Sequence, residues 1–385
     1  MVTLRRALFC LSLLLPLPPG MAQAAGYSTP EALGEALFFD TALSKNRTQA
    51  CATCHDPAAA FTDPRQTKAG GQLSLGDDGQ SFGNRHTPSA AYARYSPPFS
   101  RSADGVYSGG QFHDGRAATL EDQAGGPPLN PKEMGMTDKA AVRDRLAENP
   151  AYAAAFPALF GPGTLDNADT AYTAMTRAIA AYERTKDFAT FDSRYDRALR
   201  GELTLTPEEE LGRTLFFSNQ FTNCRLCHQL QPQGGMAEET FSNYQFHNIG
   251  VPANPQARRL FGYSTGQRDT GLAENPAVKD KAAQTGKFKV PTLRNVAVTA
   301  PYMHNGVFKD LRTVILFYNT FNTRNPKRKI NPETGQPFAS PEFPGTVSLK
   351  ELESGPALDD KRINALVAFL RALTDQRYEA LLPPL

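Results

Sequence analysis

Two short stretches of this chain carry the same three chemical groups at the same spacing. "ACATCHDP" holds Cys51, Cys54 and His55, and "NCRLCHQL" holds Cys224, Cys227 and His228. Two thiols three positions apart, followed at once by an imidazole, suit covalent attachment to the two vinyl groups of a haem, with the histidine reaching the iron from one side. CxxC alone also serves as half of a zinc site or as a dithiol redox pair. A four-cysteine zinc site needs its halves much closer in sequence than these, and nothing here supplies the βαβ context of a thioredoxin-like pair. The pattern predicts two c-type haems with His55 and His228 as proximal ligands.

The far face of each iron then separates function classes. An electron carrier closes that face with Met or a second His, whereas an enzyme leaves one iron open. The inventory beyond the leader is Met134, Met136, Met175, Met236 and Met303, with His86, His113, His247 and His304.

The first residues set the compartment. Arg5 and Arg6 precede an apolar run from Ala7 to about Leu17, and small residues end in "AQA" at Ala22–Ala24. This reads as a cleaved secretory signal over residues 1–25, too short to span a bilayer, so the mature protein is expected in the periplasm. No other segment is long and apolar enough to cross a membrane. The leader takes Cys10 with it, which leaves four cysteines, all in the two motifs and none for a disulfide. The chain has 41 basic and 39 acidic residues. Without Arg5 and Arg6 the charges balance, which argues against nucleic acid or an anionic membrane as the main partner. There are 13 Tyr and 24 Phe but no Trp.

Each motif needs an element to hold it, and the sequence repeats one. "LGEALFFD" (33–40) is echoed by "LGRTLFFS" (211–218), each leading by a short loop into its CxxCH. Thr29-Pro30-Glu31 and Thr206-Pro207 with Glu209 mark helix starts. Periodicity predicts further helices over 169–185, 310–319 and 359–374. No length of chain alternates like a strand. Gly/Pro/Asn-rich stretches at 62–110, 230–300 and 322–358 read as long loops ordered by what they wrap. The expected fold is mainly α: two c-type cytochrome domains related by duplication, over 26–200 and 201–385. The basic run Arg324, Lys327, Arg328 and Lys329 reads as a solvated loop before a dock for an acidic partner.

"QFHDGRAATLEDQAGGPPLNPKEMG" (111–135) and "FKVPTLRNVAVTAPYMHNGVFKDLRTVILFY" (288–318) resemble the signature segments of the bacterial di-haem cytochrome c peroxidase and MauG family. The resemblance spans both haem motifs and essentially the whole mature chain. It implies that Glu133 is the distal carboxylate of the peroxide-binding haem, with Gln123 and Pro127 in the same pocket. A positioned carboxylate can take a proton from one peroxide oxygen and return it to the leaving one. It also implies that Tyr318 is the axial ligand of the second haem, where the peroxidases carry Met and MauG carries Tyr. Periodicity alone makes Tyr318 a core aromatic, and Met303 is a competing ligand. Phenolate is hard and anionic and favours ferric and higher iron; thioether favours ferrous.

Two positions depart from the family. Its inter-haem Trp is His113 here, free to bind iron, donate a hydrogen bond or fill space. Its calcium-binding Asn is His86; Thr299 and Pro301 match the carbonyl ligands of that calcium, and Asn84 is the candidate to compensate. The function implied is a peroxide-using oxidoreductase, open at the first haem and Tyr-capped at the second, that oxidises a partner protein as MauG does. The alternatives are peroxide reduction with electrons from a small cytochrome c or cupredoxin, and a non-catalytic di-haem carrier with both irons closed.

Overall fold

The two echoed segments each form a helix that begins where its sequence marks it. Thr29 caps Pro30–Phe38 (α1) by accepting from the Ala32 amide at 3.2 Å. Thr206 caps Pro207–Phe216 (α8): its hydroxyl accepts from the Glu209 amide at 3.2 Å, and the Glu209 carboxylate accepts from the Thr206 amide at 2.7 Å. Such caps satisfy N–H groups that a helix start leaves unpaired, and proline in the first turn has no N–H to leave. The computed structural model describes residues 26–229 and 236–384, so the leader read from the sequence lies outside the described residues.

The other helices are Cys51–Cys54 (α2), Leu120–Ala124 (α3), Lys139–Glu148 (α4), Pro150–Phe160 (α5), Ala168–Glu183 (α6), Arg194–Leu199 (α7), Pro255–Phe261 (α9), Lys281–Gln284 (α10), Leu311–Asn319 (α11), Leu349–Leu352 (α12) and Asp360–Arg371 (α13). Strands form three two-residue antiparallel ribbons: Ser100–Arg101 (β1) with Tyr107–Ser108 (β2), Phe246–His247 (β3) with Phe288–Lys289 (β4), and Ile330–Asn331 (β5) with Gln336–Pro337 (β6). The mainly α expectation holds. The stretches read as loops contain these ribbons and short helices, and α4 and α5 carried no signal that the periodicity reading had used.

The apolar side chains gather in two main clusters. Leu33, Leu37, Phe38, Val142, Phe156, Met175 and Ile179 centre the first, from α1, α4, α5 and α6. Leu215, Phe216, Val314, Ile315, Leu366 and Phe369 centre the second, from α8, α11 and α13. The same contact is repeated in both. Gly34 of α1 lies so close to α6 that a Cβ on it would sit 1.9 Å from the Ala178 carbonyl oxygen; Gly212 of α8 meets the Ala365 carbonyl of α13 at the same 1.9 Å. The glycine of each "LG" pair therefore sets how closely its two helices cross.

Buried polar groups tie separate parts of the chain together. Arg85 bonds Asp114 at 2.5 Å and Asp269 through two nitrogens at 2.7 Å, and reaches Glu274 at 3.0 Å. The Tyr92 hydroxyl donates to Asp375 at 2.6 Å. Burying a charge is costly unless it is paired, and here each partner is supplied from a distant part of the chain.

Candidate functional site

The two CxxCH motifs are held alike. Cys51 and Cys54 bound α2, and the His55 amide donates to the Cys51 carbonyl at 2.9 Å; the His228 amide donates to the Cys224 carbonyl, also at 2.9 Å. His55 Nδ1 lies 3.1 Å from the Phe61 carbonyl oxygen, and His228 Nδ1 lies 3.0 Å from that of Phe241. A carbonyl only accepts, so Nδ1 bears the proton in both rings and Nε2 keeps its lone pair for a metal. Phe61 and Phe241 share a left-handed backbone, φ 56° in each. Burial lowers both imidazoles from their ordinary value, His228 to about 4, so both are neutral as ligands must be.

Burial also raises the four thiols, Cys51, Cys54 and Cys227 to about 12 and Cys224 to about 11. Cys51 packs against the first cluster and Cys224 against the second. No group of three or more His, Cys, Asp or Glu among the described residues is arranged to hold a metal ion. Separate pairs of protonated thiols, each beside a lone-pair imidazole, fit haem attachment and not a shared tetrathiolate zinc site.

Around the first motif, the 127–136 turn is laced to itself. The Pro127 carbonyl accepts from the Asn130 and Met134 amides at 3.2 Å, and the Pro128 carbonyl from Met136 at 2.8 Å. The Tyr172 hydroxyl of α6 donates to Gly125 at 2.7 Å and fixes the segment that follows Gln123. This turn carries Glu133 into the electrostatic neighbourhood of Cys54. Burial pushes the Glu133 carboxyl up, while the Arg116 guanidinium and the Asn130 side chain draw it down. Gln123, Pro127 and Glu133 thus belong to one laced segment, of which Glu133 reaches the first motif.

The second motif opens onto a cavity of about 350 Å³ lined by Cys224, Cys227, His228, Tyr318, Met303 and His247, among others. Burial pushes the Tyr318 phenol up, with the sulfurs of Cys227 and Cys224 adding to it. Tyr318 and His228 are therefore on one cavity, together with the competing Met303. Thr299 and Pro301 line it too, whereas Asn84 lines a separate small cavity with Asp269, His304 and Asn305. The two cavities adjoin, sharing Asp269, His304 and Glu342 in their linings.

His113 lines the large cavity as well. Its Nε2 donates to the His86 carbonyl at 2.9 Å, and burial lowers it to about 3. His86 is lowered to about 3 by burial and His304 to about 4, the latter stacked on Phe288 at 3.6 Å. Met134, Met136 and Met175 are core residues of the first cluster, and Met236 is exposed. The sequence reading missed Arg65, whose Nη2 lies 3.2 Å from Cys54 Sγ, the buried Glu183 and Arg294, and the half-buried Lys289. It also missed the Phe61 and Phe241 carbonyls, although "FTD" (61–63) and "FSN" (241–243) repeat after each motif.

Comparison with known proteins agrees with this geometry. Residues 28–204 match the family described as di-haem cytochrome c peroxidase. The methylamine utilization protein MauG of Paracoccus denitrificans is 57% identical over 351 residues, 91% of this chain and 90% of that protein. The cytochrome c551 peroxidase of Nitrosomonas europaea is 32% identical over 297 residues, 76% and 73% of the two chains. The diheme peroxidase BthA of Burkholderia thailandensis superposes with a TM-score of 0.80 at 33% identity, covering 92% of this chain and 88% of that one. The chain belongs to the di-haem cytochrome c peroxidase and MauG family and is a di-haem oxidoreductase with two c-type haems.

Proposed function

We propose that the chain uses hydrogen peroxide at the Cys51/Cys54/His55 site and draws the two electrons from a partner protein through the Cys224/Cys227/His228 site. The haems, when bound, supply the exchange of electrons with peroxide and with the partner. The rest is the work of this chain's residues. His55 and His228 present Nε2. Glu133 takes the proton from one peroxide oxygen and delivers it to the other, so that two further protons and two electrons complete two waters. Its raised carboxyl suits both halves of that transfer. Gln123 and Pro127 bound the space in which peroxide sits, and Tyr318 would hold the iron of the second haem, giving up its phenol proton to do so; phenolate favours the oxidised metal.

The observation that carries this reading is the pairing of Tyr318 with His228 on one cavity, while the first motif faces Glu133. His113 serves as a hydrogen-bonded filler of the space between the sites, in the role of donor to His86. The 57% identity to MauG favours oxidation of a partner protein; the identity to cytochrome c551 peroxidase supports a second reading, peroxide reduction with a small cytochrome c or cupredoxin as donor. We place the protein in the periplasm on its leader, and no helix among the described residues is long and apolar enough to cross a membrane. No step is assigned to calcium.

The test is electron paramagnetic resonance of the ferric, haem-loaded chain before and after peroxide. One high-spin and one low-spin signal, with peroxide consuming the high-spin one, is the expected result. Two low-spin signals that persist in peroxide, in both the ferric and the half-reduced protein, would make the chain a carrier. Mixing reduced small cytochrome c with peroxide and enzyme separates the two catalytic readings.

A further inference from the structure

Lys289 is held where a lysine is expensive. Its backbone is pinned in β4, opposite Phe246, and its amide donates to the His113 carbonyl at 2.8 Å. The side chain enters the same cavity that Cys224, Cys227, His228 and Tyr318 line. There its Nζ donates to Ser96 Oγ at 3.2 Å and to the Gly110 carbonyl, both neutral acceptors. An ammonium has three N–H donors, so one remains.

The buried cations nearby have carboxylates. Arg294 pairs with Asp196 at 2.5 Å, and Arg85 with Asp114, Asp269 and Glu274. Among the described residues no carboxylate lies within ion-pair distance of Lys289. Asp114, whose charge favours its protonated form, is already bonded to Arg85 and Arg116. Burial drives the Lys289 amine down to about 7. A half-buried ammonium whose partners are neutral gives up part of its hydration without a compensating anion. Whatever occupies the cavity is expected to bring that anion.

A haem attached by its vinyl edge to Cys224 and Cys227 would carry its two propionates on the opposite edge, and Lys289 lines the cavity those cysteines share. We propose that Lys289 is the cation that anchors a propionate of this haem and thereby raises its reduction potential. The proposal rests on the two-haem reading. A fixed positive charge beside the haem disfavours the ferric form more than the ferrous one, so the lysine holds the second site back from being oxidised too readily, against the pull of the Tyr318 phenolate.

The test is spectroelectrochemical titration of the low-spin haem in the full, haem-loaded chain and in Lys289→Met, Lys289→Gln and Lys289→Arg. Loss of the charge in the Met and Gln variants is expected to move the equilibrium about tenfold toward ferric, ~59 mV for one electron. The Arg variant is expected to stay within about threefold of the parent chain. With both neutral variants made, misfolding of one leaves the comparison standing. Neutral variants indistinguishable from the parent would overturn the assignment, as would a structure of the haem-loaded chain with every propionate oxygen of this haem beyond hydrogen-bonding reach of Nζ. Haem content, measured first, keeps the two ideas apart: fewer than two haems on the parent chain defeats the two-haem reading, whereas two haems with unchanged potentials defeats Lys289 alone.

Discussion

Replacing Gly34 or Gly212 by alanine asks whether the repeated helix crossing is as tight as it looks. Alanine is intrinsically better than glycine inside a helix by about 1 kcal/mol, so on propensity alone both variants gain stability. The crossing opposes this. The new Cβ would meet a backbone carbonyl oxygen at 1.9 Å in either helix pair, with the Cβ of Tyr182 or Phe369 next at 3.0 or 2.7 Å. An ordinary carbon–oxygen contact is about 3.3 Å, so α1 must draw back from α6, or α8 from α13, by roughly 1.4 Å. A carbonyl inside a helix cannot swing aside as a side chain could. Over-packing of that size costs about 3 kcal/mol, which outweighs the propensity gain and leaves each variant about 2 kcal/mol less stable. Urea denaturation of the haem-loaded protein, followed by far-ultraviolet circular dichroism, measures this. Variants equal to or more stable than the parent would refute the reasoning, because the helices would then have room the geometry denies them. The two variants should also differ in one respect. Gly34→Ala moves α6, on which the Gln123 segment rests through Tyr172, and so is expected to slow peroxide reaction more than Gly212→Ala does.

Other expectations follow from single residues. Glu133→Gln keeps the size of the side chain but cannot shuttle a proton; both haems should remain attached while peroxide-driven turnover falls at least 100-fold, and unchanged turnover would remove Glu133 from the mechanism. Tyr318→Phe should alter only the low-spin resonance of the ferric protein; a change confined to the high-spin signal would assign Tyr318 to the other site. Asp196→Ala strands the fully buried Arg294 and is expected to cost about 3–5 kcal/mol in urea denaturation, less than 1 kcal/mol meaning that the guanidinium finds another anion. Glu183 gives a pH dependence: burial raises its carboxyl from 4.5 to about 8, so the folded chain keeps a proton the unfolded chain has lost, and stability falls as pH rises from about 4.5 to about 8. Glu183→Gln should match the parent near pH 4 and exceed it by roughly 5 kcal/mol at pH 9. A stability gap between the two that does not widen with pH would show the carboxylate to be compensated.

What the sequence made legible was whatever is encoded within a few neighbouring positions. Thr29-Pro30 and Thr206-Pro207 announce their helices because a cap and a first-turn proline act locally, and α6, α11 and α13 fall within two or three residues of the periods that predicted them. CxxCH is local in the same way. The helices α4 and α5 escaped because α4 is strongly polar and α5 nearly apolar throughout, so neither presents one clear face. Lys289, Glu183 and Arg294 escaped for a different reason. A buried charge looks like any surface charge until the chain is folded around it, and the partners that decide its state, Asp196 for Arg294 or Ser96 for Lys289, lie about a hundred or more positions away. The calcium assignment of Asn84, Thr299 and Pro301 rests on the resemblance alone; Asn84 lines a small cavity that shares Asp269 and His304 with the one Thr299 and Pro301 line.

The matching carbonyls of Phe61 and Phe241 bear on how one ancestral unit came to have two dispositions. Each proximal imidazole leans on a neutral main-chain acceptor at nearly the same length, 3.1 and 3.0 Å. A carboxylate at either place would make its imidazole a stronger electron donor, but neither half has one. Both irons are thus offered the same push from behind. The two sites are alike on that side, and in the reading proposed above what sets them apart is the acid on a turn that serves the one, Glu133, and the phenol on a helix that serves the other, Tyr318. On that reading, a duplicated unit would have had to rewrite only one surface to turn a matched pair into a division of labour.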